Sequence, residues 1–389
     1  MNFIKFTNFT NFTNFTNFTN FANFINFINF MNFNNLKKYG WDDFFEMQFE
    51  KYSKDDFTAG RVAIENKSNY LLYTEFGEMA AELSGKFHYN NEDAGSYPAV
   101  GDWVVIRPIP KEKKAVIEFV LERKNKFSRK EAFNDEDGET NEQILSANID
   151  YVFIMSSLNM EMNIRRIERY LTLALENNVT PVIILTKTDL CDNIEEKISE
   201  VRTIALNTEI LALSAFKKTG IEELRIYFEG NKTISFVGSS GVGKSTLINY
   251  LCGETVMDVS DIAQYKDRGR HTTSHRELIV LPTGGLIIDT PGMRQMRLWE
   301  GSRGLSETFQ DIEKYIGMCK FTDCKHETEP GCAIKKAIDD GEFDEERFNN
   351  YLKLQREIIH FENRKIVKAQ MAEKKKWKKV SADAKKKKK

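Results

Sequence analysis

Thr233-Ile-Ser-Phe-Val-Gly-Ser-Ser-Gly-Val-Gly-Lys-Ser-Thr-Leu-Ile-Asn-Tyr-Leu251 decides the fold of this chain. The apolar run Thr233 to Val237 predicts a buried strand, and Ser245 to Leu251 predicts a helix. Between them, Gly238-x-x-x-x-Gly243-Lys244-Ser245 matches the phosphate-loop pattern in full. Glycines at Gly238, Gly241 and Gly243 let the backbone N–H groups around Ser239, Ser240 and Val242 turn inward on phosphate oxygens. The following helix N-terminus adds a favourable field. Lys244 is expected at the β- and γ-phosphates and Ser245 on Mg²⁺, with Thr246 completing the set. A chance glycine-rich turn is the alternative, and the agreement of strand, loop and helix speaks against it.

Four further motifs surround this loop, in an unusual order. Thr186-Lys187-Thr188-Asp189 and Ser214-Ala215 precede it, while Gly269-Arg-His-Thr-Thr273 and Asp289-Thr-Pro-Gly292 follow. In an ordinary GTPase the phosphate loop leads and the guanine motif trails. Here the chain reads as cut and rejoined, a circular permutation. Apolar runs at Tyr151–Met155, Pro181–Leu185, Ile210–Leu213 and Leu286–Asp289 alternate with helical patterns such as Arg165 to Glu176. That alternation predicts a mostly parallel sheet with helices on both faces, and ligands beyond the carboxyl ends of its strands.

Asp189 is suited to accept hydrogen bonds from N1 and the exocyclic amine of guanine. Adenine lacks that donor pair and would leave the carboxylate unpaired. The stem of Lys187 would cover the base; Thr186 stands where Asn is the commoner residue. Ser214-Ala215 would meet guanine O6 through backbone, although the dipeptide alone carries no information. Asp289 is expected to hold Mg²⁺ through water, and the Gly292 N–H to sense the γ-phosphate. Thr273 is the switch threonine expected on Mg²⁺. Met293 follows Gly292 where many GTPases keep a water-orienting glutamine, so another group must place the water, and His271 is the nearest candidate. A surface or RNA-facing histidine is the alternative for His271.

Cys319, Cys324, His326 and Cys332 lie within a short span. Three thiolates and an imidazole make a closed tetrahedral set typical of structural zinc, with free thiols and no metal as the alternative. Cys191 and Cys252 read as small buried residues.

Outside this core the chain changes character. Phenylalanine recurs at every third position from Phe3 to Phe33, a period that suits neither strand nor helix. Residues 1–37 are therefore expected to be a disordered Asn-Phe-Thr repeat, with Met31 a candidate translation start. Short apolar runs in residues 38–135, among them Tyr70–Tyr73 and Asp102–Arg107, give five or so strands and fit a small closed barrel of the OB type; any other small β barrel is the alternative, which strand counting does not separate. Phe133 to Glu142 reads as an acidic linker. Residues 136–302 form the expected permuted GTPase, residues 303–370 a helical zinc-binding domain, and residues 371–389 a lysine-rich tail. The tail offers nonspecific phosphate contact, with a merely solvated tail as the alternative. With 389 residues, 41% apolar and 29% charged, and a net charge of -2, the composition is that of a soluble multidomain protein. No apolar run is long enough for a transmembrane helix, no secretory signal is evident, and the expected location is the cytoplasm.

Taken together, the motif order and Cys319-Lys-Phe-Thr-Asp-Cys-Lys-His-Glu-Thr-Glu-Pro-Gly-Cys332 closely resemble the circularly permuted bacterial GTPase family RsgA, ribosome small subunit-dependent GTPase A. The resemblance covers about residues 38 to 365 and includes Ala147-Asn-Ile-Asp150. It implies an OB-fold, a permuted GTPase and a zinc domain. It also implies a GTP-hydrolysing factor in late maturation of the 30S subunit, binding 16S rRNA and stimulated by that subunit. The family's proposed catalytic histidine matches His271. The implied partners are GTP/GDP, the 30S subunit and its rRNA; the protein itself is expected to be monomeric. A nucleotide-gated RNA-binding scaffold, with incidental hydrolysis, is the alternative.

Overall fold

The computed structural model describes residues 33–52, 56–66, 69–90, 94–130, 142–159, 162–205, 207–255, 276–289, 303–360 and 363. The switch segment with His271 and Thr273, the Gly292-Met293 pair, the repeat up to residue 32, the acidic segment 131–141 and the lysine tail lie outside them.

Helix α1 (33–37) and helix α2 (Asp43–Phe49) precede the barrel. Residues 33–37 were expected to belong to the disordered repeat. Instead Phe33 stacks flat on Trp41, with centroids 5.2 Å apart, and Leu36 is buried in the same aromatic cluster as Phe45 and Trp103. A burial partner thus fixes the last repeat unit, which a period-three pattern alone could not reveal.

Five strands close the barrel: β1 (Thr58–Asn66), β2 (Asn69–Thr74), β3 (Gly77–Leu83), β4 (Trp103–Ile109) and β5 (Lys114–Val120). Helix α3 (Gly85–Asn90) lies between β3 and β4. The spatial order is β1-β2-β3-β5-β4, and pairing of β4 back to β1 completes the ring. Only the β3–β5 pair is parallel. Val62, Leu72, Met79, Ile106 and Ile117 fill the interior. This is the expected OB-like barrel.

Strands β6 (Lys126–Lys130) and β7 (Glu142–Ala147) form a separate antiparallel ladder flanking the acidic segment. Glu142, expected at the end of the linker, instead opens a strand: it pairs with Lys130, Ile144 pairs with Ser128, and Ile144 and Leu145 behind it are buried.

The second sheet unit comprises β8 (Tyr151–Ser157), β9 (Thr180–Thr186), β10 (Glu209–Ala212), β11 (Thr233–Gly238), β12 (Glu277–Val280) and β13 (Leu286–Asp289). Their order is β10-β9-β8-β11-β13-β12, parallel except for β12. The chain runs outward from β8 to β10, then returns to the centre as β11. The strand carrying the phosphate loop therefore lies between the first strand of the domain and one of its last, as a permuted GTPase requires. The change of direction between β8 and β11 opens a crevice at the carboxyl ends of the strands. Buried side chains run almost unbroken along β8, β9 and β11, because helices cover both faces. Helices α4 (Ile164–Glu176) and α5 (Ile194–Arg202) pack in one core, and α6 (Lys244–Cys252) in the other.

Beyond the sheet come α7 (Arg303–Thr308), α8 (Gln310–Glu313), α9 (Ala333–Asp339) and α10 (345–360). Arg347 of α10 ties this helical region to α4. Its guanidinium meets Glu168 at 2.5 Å and Asp311 at 2.7 Å, and Glu168 also receives Arg165 at 2.9 Å. Both Glu168 and Arg347 are buried, so each charge needs the other.

Candidate nucleotide site and metal centre

Glycine permits two local features of the phosphate loop. A Cβ on Gly238 would stand 2.7 Å from the Met155 carbonyl, so β8 and β11 meet here only through glycine. Gly243, the N-cap of α6, has φ +101°, a left-handed backbone that favours glycine. Lys244 Nζ donates to the Gly238 carbonyl at 3.2 Å and the Ser239 carbonyl at 3.1 Å, which folds the amine back over the loop. Ser245 and Thr246 occupy the first turn of α6.

The guanine motif lies at the end of β9 and is bonded to this loop. The buried Thr186 hydroxyl donates to the Val242 carbonyl at 2.7 Å. Thr188 N–H donates to Leu213 O at 3.4 Å, joining the motif to the end of β10. Lys187 takes a left-handed conformation, φ 60°, which turns the chain into the short helix Thr188–Leu190. The Ser214 hydroxyl donates a short hydrogen bond to the Asp189 carboxylate, and its oxygen accepts Lys217 N–H at 3.0 Å. Ser214 and Thr219 also exchange backbone bonds at 3.0 and 3.1 Å, closing the loop that carries Ala215. Two motifs distant in sequence thus bracket one carboxylate. The sequence reading gave Ser214 a backbone role only; its hydroxyl on Asp189 was missed, since no spacing rule links the two positions.

Asp289 ends β13, a buried neighbour of β11. Burial raises its pKa above the ordinary carboxylate value, Lys244 opposes that shift, and the facing Glu277 adds to it. Asp289 thus stands at the carboxyl end of its strand, buried and within the field of Lys244. His271, Thr273 and Gly292 fall outside the described residues, so their expected roles stay expectations.

The four expected zinc ligands do converge. Nδ1 of His326 lies 3.5 Å from Cys319 Sγ, 3.6 Å from Cys324 Sγ and 3.4 Å from Cys332 Sγ, and all four ligand atoms are within 4.8 Å of one another. Zn–S near 2.3 Å and Zn–N near 2.0 Å at tetrahedral angles require S···N edges of about 3.5 Å. The donor set and its spacing fit zinc. Backbone N–H groups of Ala333 and Lys335 point at Cys319 and Cys332 at 3.4 and 3.5 Å, supporting thiolate charge at the start of α9.

Comparison with known proteins agrees with this geometry. A family model described as RsgA GTPase matches residues 120–299. The small ribosomal subunit biogenesis GTPase RsgA of Opitutus terrae is 39% identical over 354 residues, spanning 89% of this chain and 95% of that protein. The chain belongs to the RsgA GTPase family. Another RsgA, small ribosomal subunit biogenesis GTPase RsgA 1 of Oceanobacillus iheyensis, is 42% identical over 327 residues, covering 84% of this chain and 92% of its own length. Among solved structures, YjeQ from Thermotoga maritima superposes with a TM-score of 0.57 at 29% identity, over 78% of this chain and 99% of that one. YloQ, a circularly permuted GTPase, superposes at 0.55 and 24% identity, over 78% and 96%, a likeness of fold.

Proposed function

We propose that this RsgA-family GTPase acts in biogenesis of the small ribosomal subunit, binding 16S rRNA and hydrolysing GTP when docked on the 30S particle. The observation that supports it best is the joining of a guanine-type carboxylate to a phosphate loop: Thr186 bonds to Val242, and Ser214 to Asp189. The curated relatives carry the small-subunit role in their names. In this reading the protein is a cytoplasmic monomer. Among the described residues, no helix is long and apolar enough to cross a membrane.

The chemistry is transfer of the γ-phosphoryl group to water, which depends on position and charge rather than covalent intermediates. Asp189 selects guanine, with Lys187, Ser214 and Ala215 around the base. The loop from Gly238 to Thr246 cradles the phosphates. Lys244 exchanges its carbonyl contacts for phosphate oxygens, where a full positive charge offsets developing negative charge. Ser245, Asp289 and Thr273 would hold Mg²⁺, which would supply neutralisation of the phosphates' negative charge. Gly292 would meet the γ-phosphate, and His271 would place the water. The Cys319, Cys324, His326 and Cys332 cluster would hold one structural zinc. The division into repeat, barrel, GTPase, zinc module and lysine tail, at residues 37, 135, 302 and 370, belongs to the same reading.

Competition titration tests nucleotide choice. GTP should displace a fluorescent guanine nucleotide while ATP does not. Asp189→Asn should weaken GTP binding by about 10- to 100-fold, the range of a hydrogen bond to a charged group, and favour xanthosine triphosphate. Equal affinity for ATP and GTP, or an unchanged GTP affinity in the variant, would remove Asp189 from the base site.

A further inference from the structure

Strand β12 connects two parts of the molecule. On one side it pairs with β13, with Glu277 opposite Asp289. On the other it pairs with barrel strand β1, with Ile64 opposite Glu277. The barrel and the GTPase sheet are therefore one continuous hydrogen-bonded ladder, and a single short strand separates the barrel from Asp289.

The β1–β12 ladder is short and is reinforced by side chains. Tyr73 of β2 donates its hydroxyl to the Leu278 carbonyl at 3.1 Å. Its ring stacks on Tyr39, with centroids 4.8 Å apart and planes 9° from parallel, so its direction is set from behind. Burial raises the Tyr73 hydroxyl to about 12, which keeps it protonated and donating. Further along the same strand pair, Glu65 of β1, opposite Tyr70, faces Arg276 at 4.0 Å, immediately before β12. Arg61 anchors the other side of β1. Its buried guanidinium donates to the carbonyls of Tyr39, Gly101 and Asn148, binding β1 to the segment that leads into β8. β1 is thus fixed to the body of the GTPase, and Tyr73 and Glu65 pass that position on to β12.

We propose that Tyr73 and Glu65 are positioning residues: they hold β12 in register against β13, so that the state of the barrel is felt at Asp289 and hence in nucleotide affinity. This rests on the small-subunit reading, with the barrel taken as a part of the protein that the 30S particle engages. Thermodynamic coupling between two sites must be reciprocal. The factor by which 30S subunits change affinity for a non-hydrolysable GTP analogue equals the factor by which the analogue changes affinity for 30S.

The experiment measures that factor, in both directions, for the wild type and for Tyr73→Phe in the full chain. The phenylalanine keeps the ring stack on Tyr39 and removes only the hydroxyl. One hydrogen bond of ordinary net strength corresponds to about a three- to tenfold change. The coupling factor should fall by that amount while analogue affinity without 30S, and the melting temperature, stay near wild type. Glu65→Gln should reduce coupling in the same direction. If the wild type shows coupling and both variants retain it, the seam is only structural and the proposal fails. If the wild type shows no coupling in either direction, the small-subunit reading fails and the seam has nothing to transmit.

Discussion

At the residue scale, Asp289 shows a functional group held against its own preference. The β13 run Leu286-Ile-Ile-Asp289 identifies the aspartate in sequence, but its environment could not be seen there. That environment comes from packing: burial raises the pKa, and Glu277 arrives from a strand absent from the sequence reading. The sign of the linked stability follows. A carboxyl whose folded pKa lies above its unfolded value contributes full stability below the unfolded pKa, and loses that contribution as pH rises through the folded value. Once pH has risen through that folded value, the ionised Asp289 is therefore a cost to the nucleotide-free protein. Asp289→Asn should raise the melting temperature of the free protein near pH 7, and the gain should shrink as pH is lowered through the carboxylate range. GTP turnover should be lost in the same variant. Thermal melts at several pH values, with nucleotide removed, check this; a variant no more stable than wild type at pH 7 would contradict it. Thr186 makes a similar point: the sequence shows a threonine where asparagine is commoner, and the structure shows its hydroxyl serving as the strut to Val242.

At the element scale, legibility depended on length and partners. Long buried strands such as β8, β9 and β11 stand out because parallel strands covered on both faces are apolar throughout. Strand β12 has four residues, and its apolar part Leu278-Ile-Val280 stops at Leu281-Pro-Thr-Gly-Gly285. That turn signal before β13 could have exposed an antiparallel hairpin. Helix α1 was hidden inside a repeat whose period matches no regular element, and its packing on Trp41 and Phe49 reveals it. The metal cluster was legible as residue types, because four ligands within one short segment leave little choice of partner. Within its loop His326 and Gly331 take left-handed backbone, at φ 63° and 75°. Structural zinc couples to folding of such loops. Elemental analysis should find about one zinc per chain. Chelation should raise amide exchange from Cys319 to Cys332 and at the start of α9, while guanine-nucleotide binding at the distant loop persists. Absence of zinc from protein with all four ligands intact, or chelation that leaves exchange unchanged, would contradict the assignment.

At the scale of the whole molecule, motif order in sequence was enough to infer the permutation, and strand order explains why it is tolerated. Permutation changes where the chain is cut but leaves β8, β11 and β13 side by side, so the crevice is the same. The continuity of the barrel with the GTPase sheet could not be read from sequence. It depends on the Ile64–Glu277 pairing, on Tyr73 and on the buried Arg61, long-range contacts that no local pattern encodes. With Met293 where a water-orienting glutamine is common, the proposal is that His271 or a group of the docked particle positions the water. The most direct measurement is multiple-turnover GTP hydrolysis, with saturating nucleotide, against added 30S subunits, 50S subunits and free rRNA. His271→Ala should be assayed alongside, with its nucleotide affinity determined separately. The 30S subunit alone should raise the rate by several orders of magnitude, about 10³- to 10⁵-fold if a group is effectively donated in trans. The variant should bind GTP normally and lose at least about 100-fold of the stimulated rate. A rate that ignores 30S subunits, or responds equally to 50S subunits, would contradict the account.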